Sequence, residues 1–247
     1  MGFRSTIKRC VGSVRDHGAL IATKSYWRRL LDEVQERRLG IQSRDIITLS
    51  ELGLEHEDRR ECWSVPFQDF RAMSKFLRPQ TEEEVFIDYG CGLGRAVILA
   101  AMLPFKRVMG VEISTTVSER ARENLTRCRG KLRCSDIQIV TADAMIFKVP
   151  ADATTFFFNN PFAGTVLRTV LTKIKESYGE RCREIKLLCY LPPISAFEDQ
   201  VRQTGGLQLV HSLALSDGRK CLVFAVAKEE SAGSASKTCD GKTAPIC

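Results

Sequence analysis

The stretch Val85-Phe-Ile-Asp-Tyr-Gly-Cys-Gly-Leu-Gly94 decides how the rest of the chain is read. Three apolar residues run into Asp88, glycines follow at 90, 92 and 94, and a second apolar run spans Leu93–Met102 before Pro104. A buried parallel strand has the composition of the first part. Glycines at its end let the backbone turn sharply and approach a ligand with no side chain in the way. Strand, glycine turn and helix N-terminus together make a nucleotide-type binding corner at the edge of an α/β sheet.

The glycine spacing separates two cofactor classes. Dinucleotide-binding domains want G-x-G-x-x-G, which would put the third glycine at 95, where this chain has Arg95. The third glycine comes one residue earlier, so the pattern is D-x-G-x-G-x-G over Asp88, Gly90, Gly92 and Gly94. It resembles the first motif of class I S-adenosyl-L-methionine (SAM) dependent methyltransferases. That resemblance implies that Asp88 helps hold the methionine amino group of the cofactor, with Tyr89 and the three glycines around it.

The residues downstream stay in phase with this reading. Arg107-Val-Met-Gly-Val-Glu112 reads as a second short buried strand ending in an acid. A carboxylate there offers two acceptor oxygens to a ribose diol, and Glu112, followed by Ile113, is placed for it. The alternative is an acidic first turn of the next helix. Thr116-Val-Ser-Glu119 reads as a capping box, with Val117, Ala121, Leu125 and Cys128 at helical spacing. A third strand is expected over Ile137–Val140, followed by Asp143-Ala144. In the methyltransferases an acid here contacts the adenine amino group, which makes Asp143 and Ala144 the candidates; a solvated loop aspartate is the alternative.

Thr154–Phe158 then leads into Asn159-Asn160-Pro161-Phe162. This resembles the Asn/Asp-Pro-Pro-Tyr/Phe motif of amino-methyltransferases, with Asn160 standing where the first proline usually does. It is also similar to a segment of uncharacterised bacterial SAM methyltransferases and, more distantly, to the Asn-Asn-Phe segment of the non-SET histone-lysine methyltransferases. The resemblance covers roughly residues 60–228. It implies SAM as cofactor and a nitrogen acceptor, a protein lysine or a small amine, with Asn159, Asn160, Pro161 and Phe162 as the catalytic group. A neutral amine must aim its lone pair at the methyl carbon, so positioning does much of the work. The Asn159 oxygen can accept the amine hydrogens, and Phe162 can present a ring face to a cation. A simple Asn-Pro turn is the alternative reading.

Other acceptor chemistries fit less well. Oxygen acceptors usually need a general base or a metal, and His17, His56 and His211 lie away from these motifs. Carbon-5 cytosine methylation needs a nucleophilic cysteine; Cys189, within Leu187-Leu-Cys-Tyr-Leu191, reads as a packed core thiol. Ten cysteines without a C-x-x-C pair argue against a zinc site or a disulfide scaffold, so no metal is expected, and reduced thiols point to a cytoplasmic protein. No stretch approaches the ~20 apolar residues of a membrane span.

The closing elements complete the expected fold. Val166, Leu167, Val170, Leu171 and Ile174 mark a helix face, Ile185–Leu191 a buried strand, and Ser195-Ala-Phe-Glu198 a capping box. Leu207–Leu215 and Lys220–Ala227 flank Asp217-Gly218, a hairpin signal. The expectation is a doubly wound α/β fold: a mostly parallel seven-stranded sheet with a C-terminal antiparallel hairpin, plus an N-terminal helical extension. Dehydrogenase domains lack that hairpin.

Charge divides the 247 residues unevenly. Residues 1–30 carry Arg4, Lys8, Arg9, Arg15, Lys24, Arg28 and Arg29 against Asp16, a net of +6, whereas the rest nets +1. Phe3, Ile7, Val11 and Val14 form an apolar stripe in the same segment. Residues 1–62 are therefore expected to be a basic N-terminal helical arm and linker whose charge suits an anionic surface. Residues 63–228 form the methyltransferase domain, with Trp63, Pro66 and Phe67 as lid candidates by resemblance, and Ser64 as the start of a helix. Residues 229–247 read as a disordered tail. A non-catalytic SAM-fold binding module acting through the arm stays open as the alternative function.

Overall fold

The computed structural model describes residues 19–53, 57–61 and 63–226. The basic residues Arg4 to Arg15, the stripe from Phe3 to Val14, His17, His56 and the tail over 229–247 lie outside them.

Seven strands form one sheet in the order β3-β2-β1-β4-β5-β7-β6. They are β1 Val85–Tyr89, β2 Arg107–Glu112, β3 Asp136–Thr141, β4 Ala153–Phe158, β5 Lys186–Leu191, β6 Leu207–Ala214 and β7 Lys220–Val226. The first five run parallel, and β7 is antiparallel to both β5 and β6. The helices are α1 Ala19–Leu39, α2 Leu49–Leu52, α3 Phe67–Leu77, α4 Arg95–Ala101, α5 Thr115–Arg127, α6 Gly164–Glu180 and α7 Ala196–Gln203. The expected doubly wound sheet with its C-terminal hairpin is present. Its turn has Asp217 and Gly218 both at positive φ, which is what an Asp-Gly hairpin supplies.

Continuous apolar strands are buried on both faces because helices cover both. On one face Val85, Ile87, Tyr89, Phe156 and Phe158 pack with Val166, Leu167, Val170, Leu171 and Ile174 of α6 and with Phe197 and Val201 of α7. On the other, Phe86 and Phe157 meet Phe70, Met73 and Leu77 of α3 and Ala96, Val97, Ala100 and Ala101 of α4. The three phenylalanines of β4 are fully buried, each worth about 1.5–3 kcal/mol relative to exposure.

The same alternation positions the site. Asp88 follows Ile87 and therefore emerges on the α3/α4 face with Phe86. Its register partner on β4 is Phe157, and Asn159, two residues on, keeps that parity. Asp88 and Asn159 thus reach the carboxyl edge of adjacent strands on one face, where an open α/β sheet forms its ligand crevice.

Two helix starts differ from the expectation. Ser114, not Thr116, is the N-cap of α5, its side chain accepting from the Val117 N–H at 3.3 Å. Helix α3 begins at Phe67 rather than at Ser64; Ser64 donates instead to the Ser43 carbonyl. The Phe67 N–H is capped from a distant element, by Asp32 Oδ1 of α1 at 3.1 Å. A cap supplied across the fold leaves no local sequence signature, and Pro66 at the N-cap position has no side-chain acceptor.

Candidate active site

The turn after β1 hangs from β2: the N–H groups of Gly90 and Cys91 both donate to the Val111 carbonyl, at 2.9 and 3.1 Å. Gly90 has φ +70, and a Cβ there would lie 2.5 Å from Cβ of Pro161. Only glycine lets the β1 turn and the β4 motif approach this closely. On β2, Gly110 makes the matching space, since a Cβ would fall 2.7 Å from both Cys91 Sγ and Val97 Cγ2. Its role was not read from the sequence, where it is simply one residue of a short strand.

Three carboxylates surround the turn. Asp88 is buried and its Oδ1 has no partner among the described residues. Loss of hydration, reinforced by the nearby Glu112, pushes its carboxyl up to about 8. Glu112 accepts from the Gly92 N–H and the Ser114 N–H, each at 3.0 Å, one on each oxygen. Burial raises its pKa, and the N–H groups of Ser114, Gly92 and Ile113 partly offset that. Asp143 accepts from the Met145 N–H at 2.8 Å and faces Arg59 at 3.6 Å. Tyr89, expected beside a cofactor, instead stacks on Phe158 in the core at 5.4 Å and 6°. Its hydroxyl is buried without a partner among the described residues, and it does not line the cleft.

The motif after β4 is held by residues 57–61, a segment the sequence left as linker. Arg59 pairs with Phe162 in an isolated antiparallel bridge, the Arg60 N–H donates to the Pro161 carbonyl, and the Ala163 N–H donates to the Asp58 carbonyl at 2.7 Å. Asp58 also accepts from the Thr165 N–H, capping α6 from outside the helix. A Cβ at Gly164 would collide with Asp58 Oδ1 at 1.7 Å, so the glycine admits the cap. Within the motif, Asn160 has φ +46, a backbone state closed to proline, and its Oδ1 accepts from the Ser195 hydroxyl at 3.2 Å. The departure from the double-proline pattern therefore has a conformational cause. Phe162 is buried against Tyr89 and Phe158 and shows one edge to the cleft.

Three cavities meet here. One runs past Gly90, Glu112, Ile113, Asp143, Ala144 and Phe162. A smaller one reaches Asp88, Gly90, Gly92 and Arg95. The third, on the far side, is bounded by α1, Tyr190 at the end of β5 and the β6–β7 turn. Asn159 and Trp63 line all three. The Asn159 side-chain N–H donates to the Trp63 carbonyl. That bond ties the amide to the main chain beside the junction and uses one of its two N–H donors. Of the other lid candidates, Pro66 lines the third cavity and Phe67 lies under the Arg95 guanidinium at 4.5 Å.

Arg95 itself is the largest feature that pattern reading missed. It is 2% exposed and donates to Asp32, Glu36, Ser43 and the Val65 carbonyl at 2.8–3.0 Å. The residue that broke the dinucleotide glycine pattern is the peg that fixes α1 against the first turn of α4. Cys189 is wholly buried, which raises its thiol far above the ordinary value, consistent with a core thiol.

No family model matches the chain, and no curated protein matches it by sequence. Among solved structures it is similar to a glycopeptide N-methyltransferase in complex with SAM, at 16% identity and a TM-score of 0.50 over 65% of this chain and 93% of that one. It is also similar to an RNA methyltransferase from Salinibacter ruber in complex with S-adenosyl-L-homocysteine, at 16% identity and a TM-score of 0.49 over 72% and 99%. A putative methylase from Haemophilus influenzae matches at 15% identity and 0.46 over 68% and 93%. The first of these, with the strand order, shows the fold: this is a class I methyltransferase architecture. Among the described residues, no helix is long and apolar enough to cross a membrane.

Proposed function

We propose that the chain is a SAM-dependent methyltransferase acting on a nitrogen acceptor, a protein lysine or a small amine. The fit to the cofactor rests on features of this chain. A buried, unpartnered carboxyl oxygen at Asp88 awaits a donor, the glycine turn leaves its backbone bare, and Glu112 has lone pairs beyond the two that the backbone occupies. Asp88 would hold the amino group, Glu112 the ribose and Asp143 the adenine. Bound there, SAM supplies an activated methyl: its C–S bond breaks with the electron pair left on sulfur as the acceptor lone pair forms the C–N bond, and the amine proton passes to water.

The chain's own part is positioning. The single observation that carries the nitrogen reading is the Asn159 amide, tied to the Trp63 carbonyl and lining the same cavity as Asp88 and Gly90. An amide oxygen accepts an N–H, orients the lone pair opposite it, and stabilises the positive charge that develops on nitrogen. The 57–61 segment and Trp63 border the same cleft. The test is incubation of the full chain with isotopically labelled SAM and cell extract, with Asn159→Ala in parallel. A labelled N-methyl product lost in the variant supports the reading. SAM binding with no labelled product at all would move the weight to a non-catalytic binding module.

A further inference from the structure

The third cavity has a charge pattern that the proposed reaction does not yet explain. Arg28, Arg29 and Arg219 all line it, together with Asp32 and Asp217. Each acid is already matched. Asp32 is paired with Arg95 at 3.0 Å and caps Phe67, while Arg28 bridges Asp217 and Asp69, the latter also accepting from the Tyr190 hydroxyl at 2.6 Å. Arg29 and Arg219 take part in no ion pair among the described residues. The Arg219 guanidinium lies over the Tyr190 ring, 5.4 Å from its centroid. Two guanidiniums with no ion-pair partner among the described residues therefore share one cavity with Asn159.

This pairing selects among acceptors. A protonated lysine entering from this side meets two like charges, which disfavours its approach. An oxyanion meets two planar forks of N–H donors, the geometry that carboxylate and phosphate groups accept in bidentate fashion.

We infer that the third cavity is the acceptor site and that it takes a small molecule bearing a phosphate or carboxylate group, held by Arg29 and Arg219 with its nitrogen at Asn159. The inference rests on the proposed methyltransferase reading and deepens it. It favours the small-amine half of that reading over a protein lysine.

Trp63 provides the readout, because it lines the cavity and the chain has only one other tryptophan, Trp27. In a Trp27→Phe full-length background saturated with S-adenosyl-L-homocysteine, Trp63 fluorescence is titrated with pyrophosphate, and separately with citrate, at constant ionic strength. The expected result is a saturable change with at least one of the two. Affinity falls tenfold or more in Arg29→Gln/Arg219→Gln and is unchanged in Lys131→Gln, an exposed cation elsewhere. Should the double variant fold poorly, Arg29→Gln alone, on the exposed side of α1, is expected to weaken binding at least threefold. Which anion binds distinguishes phosphate from carboxylate. No saturable response, or an equal response in the variants, overturns the inference when homocysteine-ligand binding is intact. Failure of that ligand itself to bind overturns the methyltransferase reading instead. Label from SAM appearing in protein or nucleic acid rather than in a small anionic product would also overturn it.

Discussion

Asn159 donates a side-chain N–H to the main-chain carbonyl of Trp63, and this pair sits where all three cavities of the site meet. In the proposed reaction this bond would set the position of the amide beside the acceptor. Asn159→Ala is expected to leave S-adenosyl-L-homocysteine affinity within about threefold of normal and to lower turnover by roughly 10²-fold, the usual cost of one preorganised polar group. Asn159→Asp should fare no better, because it sets a carboxylate against the Trp63 carbonyl. Steady-state kinetics on the labelled product decides; a fully active alanine variant would remove Asn159 from the mechanism.

Asp88 makes stability depend on pH in a definite direction. Its carboxyl titrates near 3.8 when exposed and at about 8 in the fold, so between those values the folded chain holds a proton that the unfolded chain has lost. Stability from this group is therefore full below about pH 4 and declines as pH rises toward 8, with a limiting slope of about 1.4 kcal/mol per pH unit. Asp88→Asn, neutral throughout, should flatten that decline and be the more stable protein at pH 8 without ligand, while binding SAM less well. Urea titrations from pH 5 to 8 test this. An Asn variant that simply fails to fold would identify the carboxyl as a structural cap of the turn.

Glu112 bridges two N–H groups and is the expected ribose acceptor. Glu112→Ala should weaken SAM binding by about 1–3 kcal/mol, the range for polar groups left unpaired. Unchanged affinity in calorimetry would assign the ribose to another residue.

Restoring the amino-methyltransferase pattern at the neighbouring position should do harm. Asn160 has φ +46, whereas proline holds φ near −65°. Asn160→Pro is expected to cost about 3 kcal/mol or more, and Asn160→Gly, which adopts positive φ freely, much less. Thermal unfolding of the two variants side by side is sufficient, and a proline variant as stable as the glycine one would refute the backbone explanation.

How much of this was legible in the chain follows from whether a signal is local. The central strands announce themselves because β1, β2, β4 and β5 are short and mostly apolar, and the hairpin because Asp217-Gly218 takes two positive φ values. Asp88, Glu112 and Asn159 stand out because strand ends are marked in sequence, and the sheet brings those three ends together. Arg95 could be seen to break the glycine pattern, but its partners Asp32 and Glu36 lie about sixty residues away on α1. No periodicity connects them. The strap over 57–61 escaped for the same reason: Asp58 caps a helix more than a hundred residues later. Tyr89 sits within the motif that points to a ligand, yet strand alternation sends its ring to the opposite face from Asp88. That correction was available from parity alone.

Calorimetric titration of the full chain with S-adenosyl-L-homocysteine at pH 7, repeated in two buffers of different ionisation enthalpy and with NAD as the comparison ligand, tests the central claim most directly. The expected result is 1:1 binding of the homocysteine ligand, no binding of NAD, and release of up to about one proton as a cationic group at Asp88 draws its carboxyl into the ionised form. That proton release should vanish in Asp88→Asn. Binding of NAD with no response to S-adenosyl-L-homocysteine or SAM would contradict the cofactor assignment and, with it, the methyltransferase.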